Sequence, residues 1–207
     1  MKSGYRRFWV AAFTALLFVS YATLAHAVLP ARVISVCILN DKAYPASEEL
    51  IRKVTTSVFR EYEAKTGIRF EARTFASFDG GSTAEMPLVW FFARVACPAS
   101  DEVRVLFTNQ TMVGRDEEGY EVDFLGRSNE DLGVAVIYDV GNREFSRDQG
   151  GNPALETSLK HELAHLFKLK HTPDRNSFMY SPSNDSYGMW TDDILKQLRE
   201  NIAKKWR

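Results

Sequence analysis

Apolar residues along this chain fall into runs of two kinds, and their periods predict the elements. Val33 to Leu39 (VISVCIL) is short, apolar and rich in β-branched residues, as a buried strand is. Pro45 to Lys65 reads as a helix, with Pro45 and Ser47 as start signals and Gly67 just past its end. Leu50, Val54, Val58 (or Ser57) and Tyr62 recur at helical spacing and predict its inward stripe. Ile68 to Phe75 alternates Ile68, Phe70, Ala72 and Thr74 with Arg69, Glu71 and Arg73, the pattern of a half-exposed strand. Asp79-Gly80-Gly81-Ser82 is a turn. Leu88 to Ala96 and Val103 to Thr108 predict further strands, and the alternation from Tyr120 to Leu125 predicts an edge strand. Leu132 to Tyr138 is apolar throughout, as a central strand would be. A polar loop, Gly141 to Pro153, leads to a helix around His161. Thr191 to Lys205 predicts a last helix, with Thr191 as N-cap, Asp192 and Asp193 in its first turn, and Ile194, Leu198 and Ile202 as its stripe. Strand, helix, several strands and two closing helices make an α+β domain.

The first 27 residues follow a different logic. Lys2, Arg6 and Arg7 form a basic start, Phe8 to Leu24 is apolar, and Ala25-His26-Ala27 is an A-x-A-like cleavage site. Residues 1–27 are therefore expected to be a signal peptide and 28–207 one domain. The competing reading is a membrane anchor, since an apolar run of about 17 residues is at the lower limit for a span. The small-residue exit and the lack of basic residues just after it favour cleavage. Removing Lys2, Arg6 and Arg7 takes the formal charge from −1 to −4. That mild acidity argues against a nucleic-acid partner, which would want a basic patch.

The chemistry concentrates in His161-Glu162-Leu163-Ala164-His165, followed six residues on by His171. On a helix, His161 and His165 stand at i and i+4, so both rings project from one face and can share a zinc ion. Glu162 is one residue off that face, placed to reach a water on the metal and act as general base. If the helix continued, His171 would lie about 9 Å beyond His165 and point roughly 120° away. The chain must therefore leave the helix near Lys168 for His171 to become the third ligand. Three histidines and one open position suit a catalytic zinc rather than a structural one. Of four histidines, His26 lies in the segment expected to be removed, so every one left is a proposed ligand of one zinc ion.

This pattern resembles the metzincin clan of zinc endopeptidases, H-E-x-x-H-x-x-G-x-x-H followed by a Met-turn. Ser177-Phe178-Met179-Tyr180 resembles that Met-turn, and its spacing and S-x-M-Y form are most similar to the matrixin branch. One position departs: where the clan has a glycine, this chain has Lys168. A residue with a side chain in the left-handed conformation costs roughly 1–2 kcal/mol. The resemblance is dense from Leu155 to the end and upstream is one of element order. It implies a mixed, twisted sheet of about five strands with an N-terminal helix, an active-site helix and a C-terminal helix. It also implies a secreted or periplasmic zinc metalloendopeptidase, acting on a protein or peptide substrate and expected to be a monomer free of the membrane after cleavage. The alternative is a catalytically silent zinc-binding module on a protease scaffold, against which Glu162 speaks, because a structural site has no use for that carboxylate.

Other candidates are narrower. Met179 would lie beneath the metal as an apolar floor, little different from an ordinary core methionine. Tyr180 is a candidate contact for a reacting oxyanion, although some metzincins place such a tyrosine two residues after the methionine and here it is one after. Cys37 and Cys97 are a candidate disulfide, with two buried free thiols as the alternative. About five residues separate the cleavage site from the first strand, so no cysteine-switch pro-segment is expected. The structural zinc that matrixins hold with extra histidines is not expected either. Asp116, Glu117, Glu118 and Asp123 read as a solvated acidic loop, with structural calcium as the other reading. Asn109-Gln110-Thr111 and Asn184-Asp185-Ser186 match glycosylation sequons.

Overall fold

A computed structural model describes residues 32–79, 96–109, 112–115, 121–138, 150–151, 153–181 and 186–205. The expected signal peptide, the strand at Leu88–Ala96 up to residue 95, most of the turn at 79–82, the acidic run at 116–118 and most of the loop at 141–153 lie outside the described residues. So do the middle and last residues of one sequon and the first two of the other.

The described chain runs β1 (Arg32–Asp41), α1 (Glu48–Thr66), β2 (Ile68–Phe78), β3 (Val103–Thr108), β4 (Met112–Arg115), β5 (Glu121–Phe124), β6 (Gly126–Asn129), β7 (Val134–Tyr138), α2 (Ala154–His165) and α3 (Asp192–Lys205). Five strands form one sheet in the order β2-β1-β3-β7-β6. The first three pairings are parallel and the last, β6 on β7, is antiparallel. This is the α+β mixed sheet with three helices that the element order implied.

Both faces of β1, β3 and β7 are covered, which is why they read as continuous apolar runs rather than alternations. Ile34, Val36, Ile38, Val105, Phe107, Ala135 and Ile137 join the helices in one core cluster. Cys37, Leu39, Leu106, Val134, Val136 and Tyr138 point the other way and pack with Cys97. Cys37 and Cys97 are bonded through their sulfurs, which staples β1 to the segment leading into β3.

α1 begins where Ser47 accepts a hydrogen bond from the Leu50 amide and ends where Gly67 turns left-handed at φ 75°. Its inward face is Ile51, Val54, Thr55, Val58, Phe59 and Tyr62. Leu50, expected in the stripe, is only half-buried, because Ile51 one position on carries the contact. β2 alternates cleanly only through Phe70. The pairing then slips, from Val36 opposite Ala72 to Cys37 opposite Thr74, so Arg73 is an extra residue and the alternation is lost.

Of the expected edge strand Tyr120–Leu125, Tyr120 lies outside the described residues, and β5 does not join the five-stranded sheet. β5 pairs with β4 as a separate antiparallel ribbon, and the edge next to β7 is β6. Alternation marks a half-buried strand but carries no information about its partner. Gly126-Arg127-Ser128-Asn129 has no apolar residue, so nothing in its pattern announced a strand. Among the described residues no helix is long and apolar enough to cross a membrane.

Candidate metal centre

α2 is the most enclosed of the three helices. From Ala154 to Ala164 every residue but Glu156 is buried. It packs against α1, β6 and β7. Behind it, Tyr62 donates to the Lys160 carbonyl at 2.6 Å. The Lys160 ammonium, itself buried, donates to Glu61 at 3.0 Å and to the Gly188 carbonyl at 3.1 Å. The Trp190 indole donates to the same Glu61 oxygen at 2.8 Å. Glu61 thus ties α1 to the segment after Met179 and to α2 at Lys160, one residue before His161.

The helix does end as the position of His171 demanded. Lys168 has φ 61° and is the non-glycine residue with positive φ among those described. The Lys168 amide donates to the His165 carbonyl at 2.9 Å and the Leu169 amide to the Ala164 carbonyl at 3.3 Å. Those two bonds are the Schellman closure, with lysine in the place usually given to glycine. The Lys168 ammonium reaches Glu130 at 3.2 Å, just beyond β6.

The turn brings the three imidazoles together. Their Nε2 atoms stand 3.1, 3.1 and 3.2 Å apart, running from buried His161 through half-buried His165 to exposed His171. His161 Nδ1 lies 2.8 Å from the Phe178 carbonyl, and His165 Nδ1 lies 2.7 Å from the Leu169 carbonyl. A carbonyl only accepts, so both Nδ1 atoms carry the proton and both Nε2 atoms keep a bare lone pair. Two lone pairs pointed at each other across 3.1 Å repel unless a cation lies between them. Nitrogens held about 2.0–2.1 Å from a tetrahedral zinc stand about 3.3 Å apart, so the trio fits such an ion. Burial, with the neighbouring His165 next, pushes the His161 imidazole down to about 3, and burial also lowers that of His165, which favours the neutral form that a ligand needs. Among the described residues no other trio of His, Cys, Asp or Glu comes together in this way.

Glu162 leaves α2 on the side of β6. It is buried, and Ser128 donates to one of its oxygens at 2.8 Å. Gly126 leaves room for it: a Cβ there would lie 2.5 Å from Glu162 Cγ and 2.8 Å from the other carboxylate oxygen. Burial raises the carboxyl to about 8, with the Ser128 hydroxyl and Arg127 acting in the opposite direction. A divalent cation among the imidazoles would also favour the carboxylate.

Met179 is fully buried in the main core, and its carbonyl accepts from the Thr172 amide at 3.1 Å, next to His171. The segment around Met179 therefore positions two of the three histidines through its backbone, Phe178 for His161 and Met179 for the segment carrying His171. Tyr180 is half-buried at its end. Gly126, Ser128, Lys160, Glu61 and Trp190 escaped the sequence reading. Gly126 acts through empty space and the others through hydrogen bonds between residues remote in sequence, and none belongs to a spaced pattern of ligand types.

No family model matches the chain, and no curated protein matches it in sequence. Solved structures do match in fold. The archaemetzincin of Methanopyrus kandleri superposes with a TM-score of 0.61 at 12% identity, covering 82% of this chain and 96% of its own. A zinc-dependent peptidase of Methanocorpusculum labreanum gives 0.52 at 16% identity, covering 79% and 99%. The archaemetzincin of Archaeoglobus fulgidus gives 0.52 at 12% identity, covering 79% and 99%.

Proposed function

We propose that this chain is a zinc-dependent metalloendopeptidase of metzincin type. The observation that carries the reading is the meeting of three imidazole Nε2 atoms at 3.1 to 3.2 Å beside a buried carboxylate. The likeness in fold to archaemetzincins and to a structure described as a zinc-dependent peptidase supports it. Membership of the matrixin branch rests only on the spacing of His171 and Met179 and on the S-x-M-Y form, since none of those three structures is described as a matrixin.

His161, His165 and His171 would hold the ion, with the first two orientated by carbonyls that fix their tautomers. Bound zinc supplies Lewis acidity, which polarises a scissile carbonyl and makes a water acidic near pH 7. Glu162 takes the proton of the attacking water and delivers it to the leaving amine. Ser128 holds one of its oxygens, which leaves the other for that proton. β6 is the sheet edge beside Glu162, and a substrate strand laid along it gains main-chain hydrogen bonds. Tyr180 is a candidate contact for the oxyanion. Residues 1–27 would direct the protein out of the cytoplasm, to the periplasm or beyond, and the Cys37–Cys97 bond suits an oxidising compartment.

Metal analysis of the purified full chain, paired with a peptide-library digest, tests the reading. One zinc per chain, lost in His171→Ala, and chelator-sensitive cleavage are expected. Two tightly held ions, unchanged affinity in His171→Ala, or a zinc-loaded chain that cuts nothing in the library would sink it.

A further inference from the structure

The turn that carries the chain from His165 to His171 does not close on its own bonds alone. Its Schellman pair uses the carbonyls of Ala164 and His165. The next two carbonyls accept from the far end of α3: Lys205 donates to Leu166 at 3.0 Å, and Asn201 to Phe167 at 2.9 Å. The Lys205 ammonium also stands 5.6 Å from the centroid of the Phe167 ring. Asn201 and Lys205 are four residues apart, so one face of α3 presents both donors. Leu198 and Ile194, buried one and two turns before Asn201, fix that face against the core.

What the two donors hold bears on the ligands. Lys168 follows directly, in a left-handed conformation that favours glycine. Leu169 comes next, and its carbonyl orientates the His165 ring at 2.7 Å. His171 lies two residues further. A small displacement of Leu166 and Phe167 would rotate one ligand and move another.

We propose that Asn201 and Lys205 are positioning residues of the metal site, which hold the exit turn so that His165 and His171 meet His161. The proposal rests on the reading of those three histidines as zinc ligands. It gives the end of α3, distant in sequence from the H-E-x-x-H helix, a share in metal affinity.

Zinc affinity of the full chain, measured by competition with a chromogenic chelator, tests it on wild type, Asn201→Ala, Lys205→Met and the pair. Methionine keeps an apolar stem beside Phe167 and removes the donor. The pair should bind zinc roughly tenfold more weakly, the lower end of what partners just outside a ligand set cost. Lys205→Arg, which keeps a donor, should recover most of the loss of Lys205→Met. The visible spectrum of the cobalt-loaded pair should depart from that of the wild type, as a distorted ligand set requires. Arg199→Ala is the control: Arg199 donates to the Lys65 carbonyl at 2.7 Å, docking α3 on α1 rather than on the turn. It should stay within about twofold of wild type. The proposal falls if the pair binds zinc like the wild type, or if Arg199→Ala loses as much. A wild-type chain that binds no zinc, or that binds it regardless of His171→Ala, would instead bring down the reading of the histidine trio, and the proposal with it.

Discussion

Two strips of chain face each other across Glu162, and they differ in how they serve it. One is α2 with its exit turn, which places His161, Glu162, His165 and His171 by residue type and spacing. The other is β6, which offers Glu162 a missing Cβ at Gly126 and a hydroxyl at Ser128. On the proposed function, the first strip would supply the groups that react and ligate. The second decides where one of them points. Chemistry written as ligand spacing is visible in a linear chain, whereas chemistry written as vacant space or as strand register is visible only once the sheet is built.

The largest effect should come from the reacting group itself. Glu162→Gln keeps the size of the side chain and an oxygen for Ser128 while removing the base. Hydrolysis of a peptide substrate should fall by at least about 10²–10⁴-fold, with zinc content unchanged. A carefully purified mutant that cleaves at the wild-type rate would make the carboxylate a bystander and erase the contrast between the strips.

Alterations in β6 should act through that same carboxylate. Gly126→Ala puts a methyl 2.5 Å from Glu162 Cγ, so the carboxylate must shift. Misplacing a catalytic group by about 1 Å costs on the order of 10²-fold, and the loss should appear in kcat with zinc affinity preserved. Ser128→Ala removes one hydrogen bond to a charged acceptor and should cost less, about tenfold. If either variant lost zinc rather than rate, β6 would belong with the ligand strip and the division of labour would be wrong.

Much of the fold was legible because core strands and amphipathic helices obey periods. β1, β3 and β7 are apolar because both their faces are covered, and α1 announced both ends through Ser47 and Gly67. The phase of α1 was less legible: Leu50 and Ile51 are equally apolar, and the packing, not the period, chose Ile51. Pairing was not legible either, since β5 and β6 are consecutive and only one of them joins the sheet. At the site, the meeting of the three histidines could be read from spacing, and the left-handed Lys168 from the requirement that His171 return. The donors behind the site could not. Lys160, Asn201 and Lys205 act on carbonyls, and every residue has one, so no side-chain pattern marks the recipient.

The smallest effect, and the one that joins the two strips, is at Lys168. Its ammonium meets Glu130 beyond β6, but the two side chains are 68% and 37% exposed, so the pair contributes little, about 0–1 kcal/mol. Its backbone carries the larger consequence, at φ 61°. Lys168→Gly and Lys168→Ala both delete the ion pair, so the difference between them isolates the backbone. At a left-handed position glycine is relieved of strain that alanine keeps, and this outweighs the extra freedom glycine brings to the unfolded chain. The glycine variant should therefore be more stable than the alanine variant by about 1 kcal/mol. Were the helix to continue right-handed through this residue, the order would reverse, because alanine is the better helix former by about 0.8–1.0 kcal/mol. Thermal melts of the two variants, each with and without a chelator, read the sign directly. An alanine variant that melts higher in both conditions would mean that His171 reaches the other two histidines by some route other than this turn.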